Sequence, residues 1–151
     1  MTTRYAVETY GQLRTDAEIM HLTDEHRVEV APASRILITP DHVQYDYMCR
    51  NGMLQVVTAR DDGKLVGYHI TIVRPHLHRP VLAGFVDTLY LDPSHRNGRC
   101  SMRMIQYAEE MLVRRGVKWI STGVRCVKDF GRLMEHLGYI EAERLYRKEF
   151  P

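Results

Sequence analysis

The residues best placed to do chemistry lie where a run of apolar sequence meets a long helical pattern. Residues 81–91 are largely apolar, residues 92–98 form a short polar loop that contains Arg96 and Gly98, and a helical pattern follows up to Gly116. Backbone N–H groups in the first turn of a helix have no partner within the helix, and the helix dipole adds positive potential there. The spacing therefore predicts a binding site for a phosphate or pyrophosphate group.

The elements that must position this loop form a mixed α/β sheet in one domain, residues 1–151. The sequence predicts a strand, two helices, three strands, and then a helix, a strand, a helix and a closing strand, over residues 4–10, 15–30, 40–52, 54–60, 65–73, 81–91, 98–115, 117–124, 128–137 and 139–150. The Asp-Asp-Gly-Lys run at 61–64 predicts a hairpin, and the strand–helix–strand unit from 81 to 124 predicts parallel pairing. The expected fold is a central sheet of antiparallel and parallel strands, flanked by helices.

Local signals predict where the helices begin and which face of the long helix is buried. Thr15 with Glu18 three residues later has the spacing of a capping box, and Pro40-Asp41 is typical of a helix start. In the long helix, the apolar side chains that share one face are Met102, Ile105, Ala108, Met111 and Leu112. We expect this face to pack against the sheet.

Composition and charge exclude several classes of protein. The formal net charge of +2 is too small to indicate a nucleic-acid partner, and Glu109 and Glu110 interrupt the arginine-rich helix. Three scattered cysteines indicate reduced thiols, and the His76-x-His78 pair lacks further ligands at metal-binding spacing. No apolar run approaches the roughly 20 residues of a membrane span, and residues 1–11 lack a signal-peptide core. We expect a cytoplasmic protein with no metal and no membrane partner.

Residues 54–150 resemble the GNAT superfamily of N-acetyltransferases, which use acetyl-coenzyme A (acetyl-CoA). The likeness is carried by LYLDPSHRNGRCSMRMI at 89–105, which is similar to the strand, Asp-Pro turn and coenzyme loop of that family. The family loop is Arg/Gln-x-x-Gly-x-Gly/Ala. Arg96 takes its first position, while Arg99 and Ser101 stand where the two small residues are usual.

A narrower likeness concerns GNAT proteins that are common in phage and prophage genomes. It is carried by VRPHLHRP at 73–80, the HRNGR loop, and VKDFGRLMEHLGYIEAERLYRKEF at 127–150. In those proteins the loop tends toward Arg-Gly-Gly-Arg, which Gly98-Arg99 resembles. The resemblance implies a phage-encoded protein that acts in the host cytoplasm.

The family resemblance also implies which residues bind the cofactor. The backbone of Leu89, Tyr90 and Leu91 would pair with the pantetheine arm like an added strand, where two central strands separate. The phosphates would be held by the loop and the first helical turn, that is by Arg96, Asn97, Gly98, Arg99, Cys100, Ser101 and Met102.

Acetyl transfer to an amine requires a base, and Asp87 is our candidate. The family often carries an acidic residue at this level, and desolvation in an apolar strand would make a carboxylate more basic. His76 and His78 are alternative bases beside the acceptor, and Glu29 is a candidate to bind a cationic acceptor. Met134 stands where the family places a thiolate-protonating tyrosine, so Tyr139 and Tyr146 are the substitutes we consider.

Two functions follow from these residues. The first is N-acetyl transfer to a primary amine, namely a protein lysine, an N-terminus or a small molecule, by direct attack on the bound thioester. The alternative is a catalytically weak GNAT-fold module that binds acetyl-CoA or a host protein. The closing strand at 139–150 could also pair with a second copy to form a homodimer.

Overall fold

A computed structural model of the protein describes residues 2–30, 34–96 and 99–151. Strands and helices follow one another in the order β1 (Thr3–Glu8), α1 (Tyr10–Arg14), α2 (Ile19–Val30), α3 (His42–Arg50), β2 (Leu54–Asp61), β3 (Lys64–Pro75), β4 (Leu82–Leu91), α4 (Cys100–Arg114), β5 (Val117–Thr122) and α5 (Gly131–His136). A 3-10 turn, Pro93–His95, lies between β4 and α4.

The strands form one mixed sheet in the order β1-β2-β3-β4-β5. The pairs from β1 to β4 are antiparallel, and β5 is parallel to β4 after the α4 crossover. Between β2 and β3, Asp61 pairs with Lys64, and Asp62 and Gly63 have φ of 48° and 84°. Two positive φ values in a two-residue turn are typical of type I′ hairpins. The predicted hairpin, parallel unit and mixed sheet are therefore confirmed.

Both faces of the sheet are covered, because successive residues of β2 are buried on opposite sides. Val56 packs with residues of α1, α2 and α3, whereas Val57 packs with α4. The buried side chains of α4 are Met104, Ile105, Ala108 and Leu112. Met104 is therefore in the core where we expected Met102, which is only half-buried. Burial of a large apolar side chain of this kind contributes about 1.5–3 kcal/mol.

The helix start predicted at Thr15 is wrong. The capping box is formed by Thr9 and Gln12 at the start of α1, and Thr15 ends that helix. Both sets have the residue types that a capping box needs, but the chain leaves β1 at Glu8, so the earlier set is used. The helix start predicted at Pro40-Asp41 is confirmed, since α3 begins at His42. The Asp41 carboxylate caps this helix by accepting a hydrogen bond from the Gln44 N–H at 3.0 Å.

The predicted closing strand at 139–150 is also wrong. The structure assigns no strand to residues 139–151, and Ile140, Leu145 and Tyr146 are largely exposed. Glu149 fixes the end of this segment by accepting hydrogen bonds from Ser34 and the Arg35 N–H. Alternating apolar residues form a strand only when a neighbouring edge supplies ladder hydrogen bonds, and this segment does not pair with β5.

Candidate active site

The parallel pair β4–β5 ends before β4 does. The last pair in register is Val86 with Thr122, while β4 continues to Leu91 and remains paired with β3 on its other edge. The backbone of residues 87–91 therefore has one edge with no strand beside it among the described residues. Leu89, Tyr90 and Leu91, the predicted pantetheine-binding residues, lie on this edge. Tyr90 and Leu91 have buried side chains, so their backbone groups are what the edge can offer a ligand.

Asp87 lies at the point where the strands separate, on a β-bulge. Val86 pairs with Thr71 and Thr88 with Ile70, so Asp87 has no partner on β3. The bulge turns Asp87 out of the regular alternation, and the residue is exposed. The expectation that its carboxylate is desolvated is therefore wrong.

The contact that holds the Asp87 carboxylate was not predicted from the sequence. The Tyr45 hydroxyl donates a hydrogen bond of 2.5 Å to Asp87 Oδ2, and the Tyr45 ring stacks on Tyr10 with centroids 4.7 Å apart. Burial, followed by the nearby Asp87 carboxylate, raises the pKa of Tyr45. Helical spacing puts Tyr45 on the same face as the buried Met48, but no sequence signal links it to a strand 42 residues away.

A cleft of about 510 Å³ opens beside this pair, between α3 and the bulge of β4. Among the residues that the structure describes, those that line the cleft carry two carboxylates and no basic group. They are Ile38, Thr39, Pro40, Asp41, Gln44, Tyr45, Met48, Ile72, Asp87 and Thr88. Within the described part of the chain, the buried hydroxyl oxygen of Thr88 has no hydrogen-bond partner. The cleft thus favours a cationic ligand with an apolar portion.

The N-terminus of α4 follows the free edge of β4. Arg99 occupies the cap position without a side-chain cap hydrogen bond, and the first turn contains no acidic residue. The first-turn N–H groups at Cys100, Ser101 and Met102 are therefore not used by a capping side chain, and this end of a 15-residue helix fits a phosphate. Asn97 and Gly98 lie outside the described residues.

Arg99 and Cys100, which were also predicted to bind the phosphates, differ in how far they are exposed. Arg99 is exposed, whereas Cys100 is half-buried, with its Sγ 3.6 Å from Thr3 Oγ1. The Cys100 carbonyl accepts a hydrogen bond of 3.2 Å from the Tyr5 hydroxyl. These contacts fix the start of α4 against β1.

Arg96 and Glu29 are brought together by the fold. An Arg96 guanidinium nitrogen lies 2.7 Å from Glu29 Oε1, and Arg96 Nε donates to the Leu91 carbonyl at 2.6 Å. The guanidinium also lies over the Tyr90 ring, 5.2 Å from its centroid. The residue predicted to bind a phosphate and the residue predicted to bind a cationic acceptor thus neutralise each other's charge.

His76 and His78 lie in the turn between β3 and β4, where β4 begins. The His78 N–H donates to His76 Nδ1 at 3.1 Å, and the His76 ring contacts Trp119 edge-on. Asp87 lies five residues along β4 from Leu82, which is about 17 Å at the rise of an extended strand. The two histidines do not line the cleft beside Asp87.

The two candidate tyrosines near the C-terminus do not line that cleft either. The Tyr139 hydroxyl donates to Glu109 Oε1 on α4 at 2.7 Å, and burial together with this bond raises the pKa of Tyr139. Tyr146 is 86% exposed. Met134, where the family resemblance implies a tyrosine, is buried, and a methionine side chain supplies no proton.

Residues 19–139 match the model of the acetyltransferase (GNAT) family. The chain belongs to this family. As a GNAT protein it is an N-acetyltransferase, and its cofactor is acetyl-CoA. The free edge of β4 and the uncapped start of α4 fit this cofactor, since one edge can pair with an extended arm and the other feature can bind phosphates.

Solved structures share the GNAT fold along nearly the whole chain. Ribosomal-protein-alanine N-acetyltransferase from Brucella melitensis biovar Abortus 2308 is 21% identical, with a TM-score of 0.74 over 99% of this chain and 100% of that one. AAC(6′)-Iy, solved with the bisubstrate analog CoA-S-monomethyl-acetylneamine, is 16% identical, with a TM-score of 0.73 over 99% and 100%. A predicted acetyltransferase with acetyl-CoA from Clostridium acetobutylicum is 11% identical, with a TM-score of 0.72 over 98% and 96%. No curated protein shows significant sequence similarity to the GNAT chain.

Across residues 2–30, 34–96 and 99–151, no three His, Cys, Asp or Glu side chains are grouped so that they could hold a metal ion. In the same residues, no helix is both long and apolar enough to span a bilayer.

Proposed function

We propose that this N-acetyltransferase transfers the acetyl group to a primary amine by direct attack of the amine on the bound thioester. The observation that carries the proposal is the position of Asp87, which lies where β4 separates from β5 and lines a cleft that also contains Asp41. The bisubstrate analog bound to AAC(6′)-Iy, which joins coenzyme A to an acetylated amine, supports the same pairing of sites here.

The cofactor would be held mainly by backbone groups of this chain. The free edge of β4 at Leu89, Tyr90 and Leu91 would pair with the pantetheine arm, and the residues from Asn97 to Met102 would bind the phosphates. Bound acetyl-CoA supplies an acetyl group activated as a thioester. N–H groups on the free β4 edge are donors that can stabilise negative charge on the acetyl carbonyl oxygen.

Asp87 is the residue placed to accept the proton that the attacking amine loses. Its carboxylate is exposed to the cleft, where water can carry the proton away. For the leaving thiolate, Tyr139 and Tyr146 remain the predicted proton donors. The Tyr139 hydroxyl is bonded to Glu109, and Tyr146 is largely exposed. Because the coenzyme A thiol is acidic enough for water to protonate its thiolate late, the reaction does not depend on either tyrosine.

The acceptor would be a protein lysine, an N-terminus or a small amine. The lining of the cleft favours a cation because Asp41 and Asp87 contribute carboxylates. A role for His76 and His78 in acceptor binding requires an acceptor that reaches the start of β4, as a protein would. Glu29 would have to release Arg96 before it could bind a cationic acceptor.

The test combines calorimetric titration with acetyl-CoA and thiol release with a panel of primary amines. We expect binding with release in the native protein. Asp87→Asn should lower kcat by about 10²–10⁴-fold, the usual contribution of a general base, and leave the acetyl-CoA affinity unchanged. The matched control is Asp62→Asn, since Asn tolerates the positive φ of this hairpin position. Equal turnover by Asp87→Asn and Asp62→Asn would show that Asp87 is not the base.

A binding module is the second candidate, and Met134 is the observation that favours it. A buried thioether at the position of the usual tyrosine leaves no protein proton donor there. This candidate predicts acetyl-CoA binding without thiol release for every amine. Similarity to phage-encoded proteins, action in the host cytoplasm and assembly as a homodimer remain predictions from the sequence.

A further inference from the structure

The hydrogen bond between Tyr45 and Asp87 joins two elements that are far apart in sequence. Asp87 is an exposed residue on a bulge, so the protein backbone alone leaves its carboxylate free to rotate. Tyr45 Oη donates to one carboxylate oxygen, Oδ2, at 2.5 Å. The other oxygen, Oδ1, is thereby left for a ligand in the cleft.

Tyr45 is itself held in place from behind. Its ring stacks on Tyr10 with an angle of 17° between the ring planes, and Tyr10 is buried under α3 with 6% of its surface exposed. The Tyr10 hydroxyl is bonded to His42 Nδ1 at 2.8 Å. The start of α1 and the first turns of α3 therefore fix the position from which Tyr45 reaches Asp87.

We propose that Tyr45 is a positioning residue for acetyl transfer, which holds the Asp87 carboxylate so that Oδ1 faces the acceptor amine. The proposal rests on the proposed function of Asp87 and adds a residue to it. In the reaction the amine nitrogen forms a bond to the acetyl carbon, the carbon–sulfur bond breaks, and the thiolate leaves. The amine proton passes to Asp87, and Tyr45 keeps its own proton throughout.

A double-mutant cycle tests whether Tyr45 acts through Asp87. Tyr45→Phe removes the hydroxyl but keeps the ring that stacks on Tyr10, so we expect an unchanged melting temperature. We expect kcat to fall about 10- to 100-fold, the usual cost of a misplaced group, with KM for acetyl-CoA unchanged. In the Asp87→Asn background, Tyr45→Phe should cause no additional loss. The control is Tyr47→Phe, on the same helix and 52% exposed.

Two results of the cycle would overturn the proposal. One is native kcat in Tyr45→Phe, which would show that the hydroxyl is not needed. The other is a full additional loss in the double variant, which would show that Tyr45 acts independently of Asp87.

A second measurement needs no turnover and separates this proposal from the proposed function. Butylammonium is titrated into ¹⁵N-labelled protein that is saturated with coenzyme A, and the amide shifts of the cleft residues report binding. We expect weakening of several-fold in Tyr45→Phe and a larger loss in Asp87→Asn, with Tyr47→Phe like the native protein. If no amine releases thiol but this order holds, the enzymatic proposal fails and Tyr45 still positions Asp87. Native affinity in Tyr45→Phe overturns the positioning role whether or not the protein is active.

Discussion

The Arg96 guanidinium makes two contacts within the protein that would compete with a bound phosphate. Its contact with Glu29 joins two partly buried side chains, 26% and 22% exposed, and its bond to the Leu91 carbonyl ties it to the end of β4. An arginine that is paired with a carboxylate contributes little positive potential to a neighbouring anion site. Glu29 therefore sets how much of the Arg96 charge a bound phosphate can experience.

Glu29→Gln should increase the affinity for acetyl-CoA by about three- to tenfold, because Arg96 is no longer neutralised. The unfolding free energy should fall by at most about 1 kcal/mol, since the pair is partly exposed. Calorimetric titration and denaturant unfolding measure the two effects. Glu141→Gln is the control, as that carboxylate is largely exposed and lies 3.5 Å from Arg144. Unchanged or weaker affinity in Glu29→Gln would mean that Arg96 stays on Glu29 and has a structural role.

The strands and helices that carry the site were largely predictable, whereas the contacts between them were not. The hairpin at Asp62-Gly63, the helix start at Pro40-Asp41 and the strand–loop–helix unit depend on neighbouring residues, and each was predicted from the sequence. The bulge at Asp87 depends on which residue β3 leaves unpaired, and the Tyr45 contact depends on how α3 packs. Such features follow from tertiary packing, which local patterns do not encode.

The first turn of α4 allows a test in which stability and cofactor binding change in opposite directions. Ser101→Glu places a carboxylate in a first turn that has no acidic residue, which should stabilise the helix by about 0.3–1 kcal/mol. The same charge should repel the phosphates and weaken acetyl-CoA binding by at least about 10-fold. Gln106→Glu, at an exposed position in the middle of α4, should leave the affinity unchanged. A more stable Ser101→Glu variant with native affinity would place the phosphates away from this turn.

The whole sheet is enclosed by helices on both faces, and this enclosure buries a histidine at its centre. His69 on β3 lies between Val57 of β2 and Leu89 of β4, is 3% exposed, and has its Nδ1 3.2 Å from Thr71 Oγ1. Burial lowers the pKa of His69 to about 4, and burial also lowers the pKa of His26, which is bonded to Tyr68. A charge on the buried His69 ring would face no carboxylate, so the folded protein keeps this ring neutral near pH 7.

This burial predicts how the stability of the protein depends on pH. A histidine whose folded pKa lies below the unfolded value of 6.5 stabilises the fold fully above pH 6.5, and that contribution is lost as pH falls from 6.5 toward about 4. For His69 the loss near pH 4 approaches about 3 kcal/mol. Carboxylates whose pKa is lowered in the fold, such as those of Glu8 and Asp92, lose most of their contribution below their ordinary pKa values of 4.5 and 3.8. Denaturant unfolding between pH 7 and about 4.5 therefore measures mainly the contribution of the histidines to the unfolding free energy.

His69→Gln should flatten the decline in unfolding free energy over that pH range, whereas exposed His136→Gln should follow the native curve. Parallel curves for His69→Gln and the native protein would show that His69 does not limit stability in acid.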